Sequence, residues 1–166
     1  MLRLGRHTFD DSELLVMAIV NRTRDSFYDR GATYADVVRS AIEDTVALAE
    51  RAVAAGVARE SVLIDPAHDF EKTTWHSLEI TRRLDEMVAT GWPVLVSLSN
   101  KDFVGETLDL PTEQRLTGTL ATTAVSAWLG AQVYRVHEVA ETKQILDMVR
   151  SIQGHRPPAV ARRGLA

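Results

Sequence analysis

The sequence has no cysteine among its 166 residues. The chain therefore cannot form a disulfide, a thiolate metal site or a nucleophilic thiol. It also lacks a glycine-rich phosphate loop, a nucleophile elbow and a zinc motif. Because these single-motif routes to catalysis are excluded, function has to be sought in the way polar residues are distributed along the chain.

A large excess of charge of one sign is absent too. Nineteen Lys and Arg stand against 23 Asp and Glu, the net charge is -4, and the basic residues are scattered along the chain. We therefore expect no nucleic-acid partner. Residues 1–11 are interrupted by charges and hold no apolar run long enough for a signal peptide or a membrane span. We expect no membrane association and a cytoplasmic location.

What the sequence does contain is a fourfold alternation of short apolar segments and longer amphipathic ones. Residues 14–20 form a continuous apolar run, which is typical of a strand buried on both faces. Residues 35–55 carry apolar side chains at helical spacing and are followed by glycine, which commonly ends a helix. The pattern predicts strands at 14–20, 61–64, 93–98 and 132–136, and helices at 35–55, 74–90, 112–129 and 140–151, each helix closed by a glycine: Gly56, Gly91, Gly130 and Gly154.

This alternation predicts the α/β class, with a parallel sheet covered by helices. A complete TIM barrel has eight such units and at least about 200 residues, whereas this chain has four units. We therefore predict a partial (β/α) barrel derived from the TIM barrel, as one domain over residues 1–154. Residues 155–166, with Pro157-Pro158 and three arginines, are expected to form a flexible tail.

Polar residues follow each predicted strand. In parallel sheets and in barrels, ligands bind at the carboxyl ends of the strands. We therefore expect one polar site built from Asn21, Thr23, Asp25 and Ser26 after the first strand, Asp65 after the second, Ser99 and Lys101 after the third, and Arg135 and His137 at the fourth.

Arg135 and His137 have the spacing that places two side chains on one face of a strand. The arginine fork matches two phosphate oxygens and the histidine can add a donor, so the pair fits a phosphate or pyrophosphate. The alternative is that Arg135 pairs with Glu138 or Glu141 and that His137 is an exposed polar residue. We favour the ligand because all four strand ends carry polar groups.

Lys101 and Asp65 each have two interpretations. Lys101 fits an anion or a heterocycle carbonyl, or else it is a solvated loop lysine. Asp65 fits an amino-substituted ring, or else it is a turn or helix-entry aspartate. The nearby His68, Asp69 and His76 match no specific metal motif, so we treat them as loop residues.

Four segments resemble motifs of the dihydropteroate synthase family, in that family's order. Residues 17–32 (MAIVNRTRDSFYDRGA) resemble its first-strand signature, and residues 63–73 (LIDPAHDFEKT) resemble Asp-Pro-Gly-x-Gly-Phe-x-Lys. Residues 93–106 (PVLVSLSNKDFVGE) resemble Pro-Val-Leu-x-Gly-x-Ser-Arg-Lys-x-Phe-x-Gly, and residues 134–142 (YRVHEVAET) resemble the closing Arg-Val-His-Asp-Val strand. The chain is identified as a divergent member of this family of pterin-binding barrels.

The resemblance implies a transferase of folate biosynthesis, in which p-aminobenzoate displaces pyrophosphate from 6-hydroxymethyl-7,8-dihydropterin pyrophosphate with the help of Mg²⁺. By motif position, Asn21 would hold the Mg²⁺, and Lys101 would face the pterin together with Asp65. The remaining roles implied by the motifs are pyrophosphate binding by Arg135 and His137, contact with p-aminobenzoate by Ser99, and mobile-loop contacts by Thr23, Asp25, Ser26 and Phe27. Catalysis would rest on Asn21, Lys101, Arg135 and His137.

The chain also departs from the family pattern. Ala67 and Asp69 stand where the motif has glycines, and Asn100 replaces an arginine beside Lys101. The family's second to fifth strands have no counterpart. We therefore expect little or no turnover from the isolated chain, and a catalytically inactive pterin- or phosphate-binding scaffold remains the alternative function.

Two strand orders fit the pattern. If the first strand lay beside the last, the order would be 2-3-4-1, and helix 35–55, about 30 Å long, could span the sheet. A right-handed connection in that direction would put this helix on the opposite face from the others, so we favour the order 1-2-3-4. That half sheet has two free edges. We expect a homodimer that closes an eight-stranded barrel, with strand 4 of one chain beside strand 1 of its partner.

Overall fold

The computed structural model describes residues 2–4, 7–10, 15–18 and 34–163, with side chains in 7–10 and 34–163. Within these residues the strands are β1 (Leu2–Leu4), β2 (His7–Phe9), β3 (Leu15–Ala18), β4 (Leu95–Val96) and β5 (Val133–Val136). The α-helices are α1 (Val37–Ala54), α2 (Thr74–Arg82), α3 (Leu84–Val88), α4 (Asp102–Leu108), α5 (Leu116–Trp128) and α6 (Val139–Ile152), with 3₁₀ turns at Arg59–Ser61 and Thr112–Gln114. The predicted α/β class is confirmed.

The main sheet is parallel and has the order β3-β5-β4. Leu15 of β3 lies opposite Val133 of β5, and Leu95 of β4 lies opposite Val133 from the other side. The second predicted strand contributes a single parallel bridge, Ile64 to Val94, at the far side of β4. In the numbering of the predicted strands the order is therefore 2-3-4-1.

The expected order 1-2-3-4 is wrong, and so is the strand pairing proposed for the dimer. The four-residue ladder between β3 and β5 gives β5 a partner on both sides within one chain, so β5 has no free edge for a second copy. α1, about 27 Å long at 1.5 Å per residue, exceeds the roughly 15 Å across three strand spacings. α1 packs beside α2 and shares its core, so it does not lie on the opposite face, where the right-handed return assumed in the prediction would have placed it.

The predicted helices are present, but one of them is divided. The segment expected as one helix over 74–90 is broken at Arg83 (φ -109°, ψ 27°) into α2 and α3. Residues 102–108, to which the sequence pattern assigned no helix, form α4, which is too short to give a periodic apolar pattern. The antiparallel hairpin of β1 and β2 was not predicted either, since its three-residue strands carry no clear alternation.

Each of the four predicted helix-ending glycines has a left-handed backbone. The φ angles are 98° at Gly56, 76° at Gly91, 104° at Gly130 and 80° at Gly154. Other side chains are strained in this region, so glycine lets the chain leave the helix and enter the next strand at low energy. These four predictions are confirmed.

One apolar core lies between the sheet and the helices. Val94 and Leu98 flank β4, and Tyr134 lies in β5; all three are almost completely buried. Phe103 of α4 and Leu146 of α6 close the core from the helix side. Because both faces of β4 and β5 are buried, the side chains that leave the core at the strand ends stand on a rigid base.

None of the helices in the described ranges is long and apolar enough to cross a membrane. The cytoplasmic location and the flexibility of the tail stay predictions. Residues 155–163 follow α6 without a helix or strand, and Arg156 forms an ion pair with Asp147 of α6.

Candidate ligand site at the strand ends

Four charged side chains meet at the carboxyl ends of neighbouring strands: Asp65, Lys72, Lys101 and Arg135. We call them the strand-end cluster. The three cations each act electrostatically on the Asp65 carboxylate, which places all four in one neighbourhood. The expectation that polar residues from separate strand ends gather at one site therefore holds for Asp65, Lys101 and Arg135. Lys72 was missed, although it occupies the lysine position of the motif over 63–73.

Asp65 follows the Ile64 bridge and is largely removed from solvent. Burial raises the pKa of Asp65 above its ordinary value, and two influences oppose this: a 2.8 Å hydrogen bond from the Ala67 N–H to Oδ1, and the nearby positive charges. The hydrogen bond gives Asp65 the turn role that was its alternative interpretation. It uses one oxygen and leaves the other for a further donor.

Lys101 lies directly before α4 and is turned inward. Its Nζ donates to the backbone carbonyl of His68 and lies 4.5 Å from the centre of the Phe70 ring. Burial lowers the pKa of Lys101, against the opposing effect of the carboxylates of Asp69 and Asp65. The interpretation as a solvated loop lysine is therefore wrong.

Lys72 resembles Lys101 in its surroundings. Its Nζ donates to the carbonyl of Phe70 at 3.1 Å, and burial lowers its pKa. In the described part of the chain, Lys72, Lys101 and Arg135 form no ion pair with a carboxylate. Their charges are thus held by neutral acceptors.

Arg135 projects from β5 toward β4. Its Nη2 donates to the hydroxyl of the buried Ser97 at 2.8 Å, while its buried Nε has no hydrogen-bond partner. The alternative pairing with Glu138 or Glu141 does not occur, since Arg135 has no ion pair among the described residues; Glu138 Oε1 accepts instead from Asn100 Nδ2 at 3.3 Å. An arginine with an unused buried donor can take an additional acceptor.

His137 lies one residue beyond β5 and its side chain is exposed. Its backbone N–H donates to the Ser99 hydroxyl at 3.2 Å. This bond ties the end of β5 to the segment after β4, so Ser99 and His137 are neighbours as the sequence predicted. Because Ser99 Oγ accepts this bond, its own proton remains free to donate.

The loop between Asp65 and Lys72 has an unusual backbone. Ala67 (φ 54°), Asp69 (φ 66°) and Glu71 (φ 54°) all adopt the left-handed conformation. Ala67 and Asp69 are the two positions at which the family motif has glycine. The structure therefore explains the glycines of the motif: the path of this loop requires positive φ, which glycine adopts without strain.

His68, treated from the sequence as a loop residue, is completely buried and stacks on Phe103. Its Nε2 lies 3.1 Å from Thr81 Oγ1, whose own proton is donated to the Ser77 carbonyl. Nε2 must therefore carry the imidazole proton, and Nδ1 is a buried acceptor without a partner. Burial is the main cause that lowers the pKa of His68 to about 3, so the ring is neutral.

Arg115 and Gly105 fix the other side of the site. Arg115 Nη1 donates to the Asn100 carbonyl and to Asp102 Oδ1, both at 2.9 Å. Its guanidinium lies against Gly105, where a Cβ would overlap with Arg115 Nε. The glycine of the motif over 93–106 thus leaves room for the Arg115 guanidinium against α4.

The remaining predicted site residues lie outside the described residues: Asn21, Thr23, Asp25, Ser26 and Phe27. Their roles stay predictions. Among the described residues, no group of three or more His, Asp or Glu side chains could hold a metal ion. The Mg²⁺ site implied by the resemblance would therefore depend on Asn21 and on the oxygens of a ligand.

The family model for pterin binding enzymes matches residues 11–137. The chain belongs to this family. It is 57% identical over 145 residues to a Mycobacterium leprae protein named inactive dihydropteroate synthase 2, a match that covers 87% of this chain and 50% of that protein. The resemblance stated from the four motifs is confirmed.

Solved dihydropteroate synthases share the fold. That of Yersinia pestis in a sulfonamide complex has a TM-score of 0.74 at 28% identity, covering 87% of this chain and 53% of that one. That of Thermus thermophilus in complex with 6HMPPP has a TM-score of 0.70 at 33% identity, covering 82% of this chain and 52% of that one. The sheet is thus TIM-barrel-derived, and the chain spans about half the length of the relatives it matches.

Proposed function

We propose that this chain binds a pterin that carries a phosphate or pyrophosphate group at the strand-end cluster, without condensing it with p-aminobenzoate. The observation that carries the proposal is the state of the three cations: Lys72, Lys101 and Arg135 contact carbonyls and a hydroxyl instead of carboxylates. Buried or half-buried charges of this kind are typical of ligand sites, because the protein leaves their neutralisation to the ligand.

Each residue has a role that fits its contacts. The free oxygen of Asp65 would accept from the amino-substituted ring, and Lys101 would face a ring carbonyl. Arg135, with its unpartnered Nε, would bind the pyrophosphate together with His137. Ser99, whose hydroxyl proton is free, would face the p-aminobenzoate side.

The first-strand residues would complete this site. Thr23, Asp25, Ser26 and Phe27 would contact the ligand from a loop, and Asn21 would bind a Mg²⁺ ion held by the pyrophosphate oxygens. When bound, the metal would neutralise part of the charge of the pyrophosphate. Since the described residues supply no metal cluster, no step of the proposal depends on the ion.

Loss of turnover is supported by the extent of the chain. The family's second to fifth strands have no counterpart, so part of the wall that would enclose the pterin is absent from this sequence. The similarity to a relative named inactive dihydropteroate synthase 2 agrees with this proposal. A site that keeps binding residues but loses enclosure retains affinity and loses the positioning that catalysis requires.

Calorimetry with 6-hydroxymethyl-7,8-dihydropterin pyrophosphate, with and without Mg²⁺, tests the proposal. We expect binding to the wild type, a loss of at least about tenfold in affinity for Arg135→Met, and unchanged affinity for Arg83→Met, which lies outside the cluster. A coupled assay should detect no p-aminobenzoate consumption. Absence of heat, with no change on Arg135→Met, would leave only a scaffold role; consumption of p-aminobenzoate would make the chain an active synthase.

We also propose a homodimer, through a surface other than the strand edges. α5 has no charged residue, it packs against α6, and both helices carry exposed apolar side chains. Gln153 Nε2 lies 3.4 Å from the carbonyls of Ala127 and Trp128, so the last turns of the two helices are adjacent. The exposed apolar side chains are Val125 (46%), Trp128 (57%), Met148 (59%) and Ile152 (60%).

The α5 side of this surface carries no charge and suits a second copy of itself, because a twofold interface brings the same patch together twice. These side chains expose roughly 400 Å², about the apolar part of one side of a standard interface. Sedimentation at micromolar concentration should show a dimer that Trp128→Glu converts to monomer, with Trp75→Glu as the matched control on α2. A monomeric wild type would contradict the dimer without affecting the ligand proposal.

A further inference from the structure

Asp69 introduces a carboxylate at a position where the family motif has glycine. Its backbone is in the left-handed conformation, with φ 66°. Aspartate is one of the few residues other than glycine that adopts this conformation with modest strain. The chain has therefore kept the backbone path of the loop and added a negative charge to it.

This carboxylate is held in one place. Oδ1 accepts from the Ser77 hydroxyl at 2.9 Å, and the same hydroxyl accepts from the Asp69 N–H at 3.0 Å. Oδ2 accepts from the Phe103 N–H at 3.2 Å, in the first turn of α4. Because both oxygens are bound to α2 and α4, the charge cannot rotate away from the site.

The fixed charge acts on the strand-end cluster. The Asp69 carboxylate accepts from the N–H of Phe103, two residues after Lys101, and Lys101 Nζ donates to the carbonyl of His68, directly before Asp69, so the two charges are neighbours. The five residues Asp65, Asp69, Lys72, Lys101 and Arg135 together carry one net positive charge, while Glu71 and Asp44 act on Lys72 from outside this group. With glycine at position 69, the same group would carry two.

We propose that Asp69 is a specificity-determining residue, which weakens the binding of the pyrophosphate group relative to that of the pterin ring and so favours, among phosphorylated pterins, those with the smaller negative charge. The inference rests on the proposed function, because it concerns the same site. A neighbouring unit charge in a partly buried site changes the affinity for an anion by about fivefold to tenfold.

A purely structural role is the competing explanation, since Asp69 joins the loop to α2 and α4. Asp69→Asn separates the two: the amide tolerates positive φ and can keep a hydrogen bond to Ser77 or to Phe103, but it removes the charge. Asp69→Gly removes the side chain and keeps the backbone. Asp85→Asn is the matched control, because it removes one exposed carboxylate on α3, outside the cluster.

The experiment is a titration of the full chain with inorganic pyrophosphate and, separately, with uncharged 6-hydroxymethyl-7,8-dihydropterin. We expect Asp69→Asn and Asp69→Gly to bind pyrophosphate about fivefold to tenfold more tightly at low salt, with the gain shrinking at high salt and the affinity for the uncharged pterin unchanged. Asp85→Asn should bind like the wild type.

Equal pyrophosphate affinity for the wild type and Asp69→Asn overturns the inference, while the proposed function survives if Arg135→Met abolishes that binding. Equal gains for Asp69→Asn and Asp85→Asn also overturn it, since overall charge would then be the cause. If neither ligand binds to any variant, the proposed function fails and the inference fails with it. Binding that appears only after substitution of Asp69 supports the inference.

Discussion

The charged residues around Arg83 and those of the strand-end cluster differ in how their cations are paired. Arg83, between α2 and α3, forms ion pairs with Asp36 (3.2 Å), Glu79 (3.0 Å) and Glu86 (2.7 Å). These carboxylates raise the pKa of Arg83 still further. In the cluster, burial lowers the pKa of both Lys72 and Lys101, and their Nζ atoms contact carbonyls.

The backbone conformation also differs between the cluster and the surroundings of Arg83. The loops of the cluster contain four non-glycine residues with left-handed φ: Ala67, Asp69, Glu71 and Asn100. Around Arg83 the chain leaves α2 and enters α3 with negative φ. Charge that holds elements together is paired on a relaxed backbone, whereas the cations available to a ligand are unpaired, and Lys72 and Lys101 each follow a residue with left-handed φ.

Lys101→Met should give the largest difference between the effect on ligand affinity and the effect on the free energy of unfolding. We expect the affinity for the pterin pyrophosphate to fall by about 10- to 100-fold, because a cation that faces the ligand is lost. The free energy of unfolding should change by less than about 1 kcal/mol, since the lost hydrogen bond is offset by relief of the buried charge. Calorimetry and urea unfolding measure the two quantities; a loss of stability without a loss of binding would reverse the contrast.

His68 should make the free energy of unfolding of the chain depend on pH. Its pKa is about 3 in the folded chain, against about 6.5 when unfolded, so between these values the unfolded state binds the additional proton. The contribution of His68 to the free energy of unfolding is therefore complete above pH 6.5 and decreases as the pH is lowered below this value. From pH 8 to pH 5 the wild type should lose about 2 kcal/mol more than His68→Gln.

Urea unfolding across this pH range measures the difference. Thr81→Val is the control, because it removes the Nε2 partner but keeps the histidine. It should lower stability at every pH without removing the pH dependence. Parallel curves for the wild type and His68→Gln would show that the ring is not kept neutral by its burial.

Arg83→Met should lower the free energy of unfolding only slightly, since the ion pairs are partly exposed and screened by water. The loss should be smaller at high salt. Ligand affinity should be unchanged. A change in affinity would contradict the separation between structural and ligand-binding charge.

Ala67→Gly should have the smallest effect on the free energy of unfolding. Relief of the left-handed strain at φ 54° should slightly exceed the entropy that glycine adds to the unfolded chain, for a gain of about 0.5 kcal/mol. Ala41→Gly, inside α1, is the control and should lose about 1 kcal/mol. A loss of stability at both positions would mean that the loop is not strained at Ala67.

The sequence was most informative where local rules decide the structure. The helix ends at Gly56, Gly91, Gly130 and Gly154 follow from backbone conformation alone, and the strand ends at Asp65, Lys101 and Arg135 meet because parallel strands align their termini. α4 and the strand order could not be predicted. α4 begins at a contact with Asp69, 34 residues away in sequence, and β3 selects β5 through a ladder between distant segments.

For the site, the sequence indicated which residues gather but not how they are held. His68 is completely buried because Phe103 and Thr81 surround it, and no periodic pattern in the sequence predicts such a contact. Lys72 lies within a recognised motif but does not directly follow a strand. A search for polar residues at strand ends therefore does not identify it. The role of Gly105 is visible only once Arg115 is placed against it.

The four left-handed glycines have a consequence for how such a chain changes in evolution. Each helix is stopped by its own backbone and needs no side chain from the following unit. A whole strand and helix can therefore be removed or inserted at these points while the ends of the neighbouring units stay intact. A chain that spans about half the length of the relatives it matches is compatible with such modular boundaries.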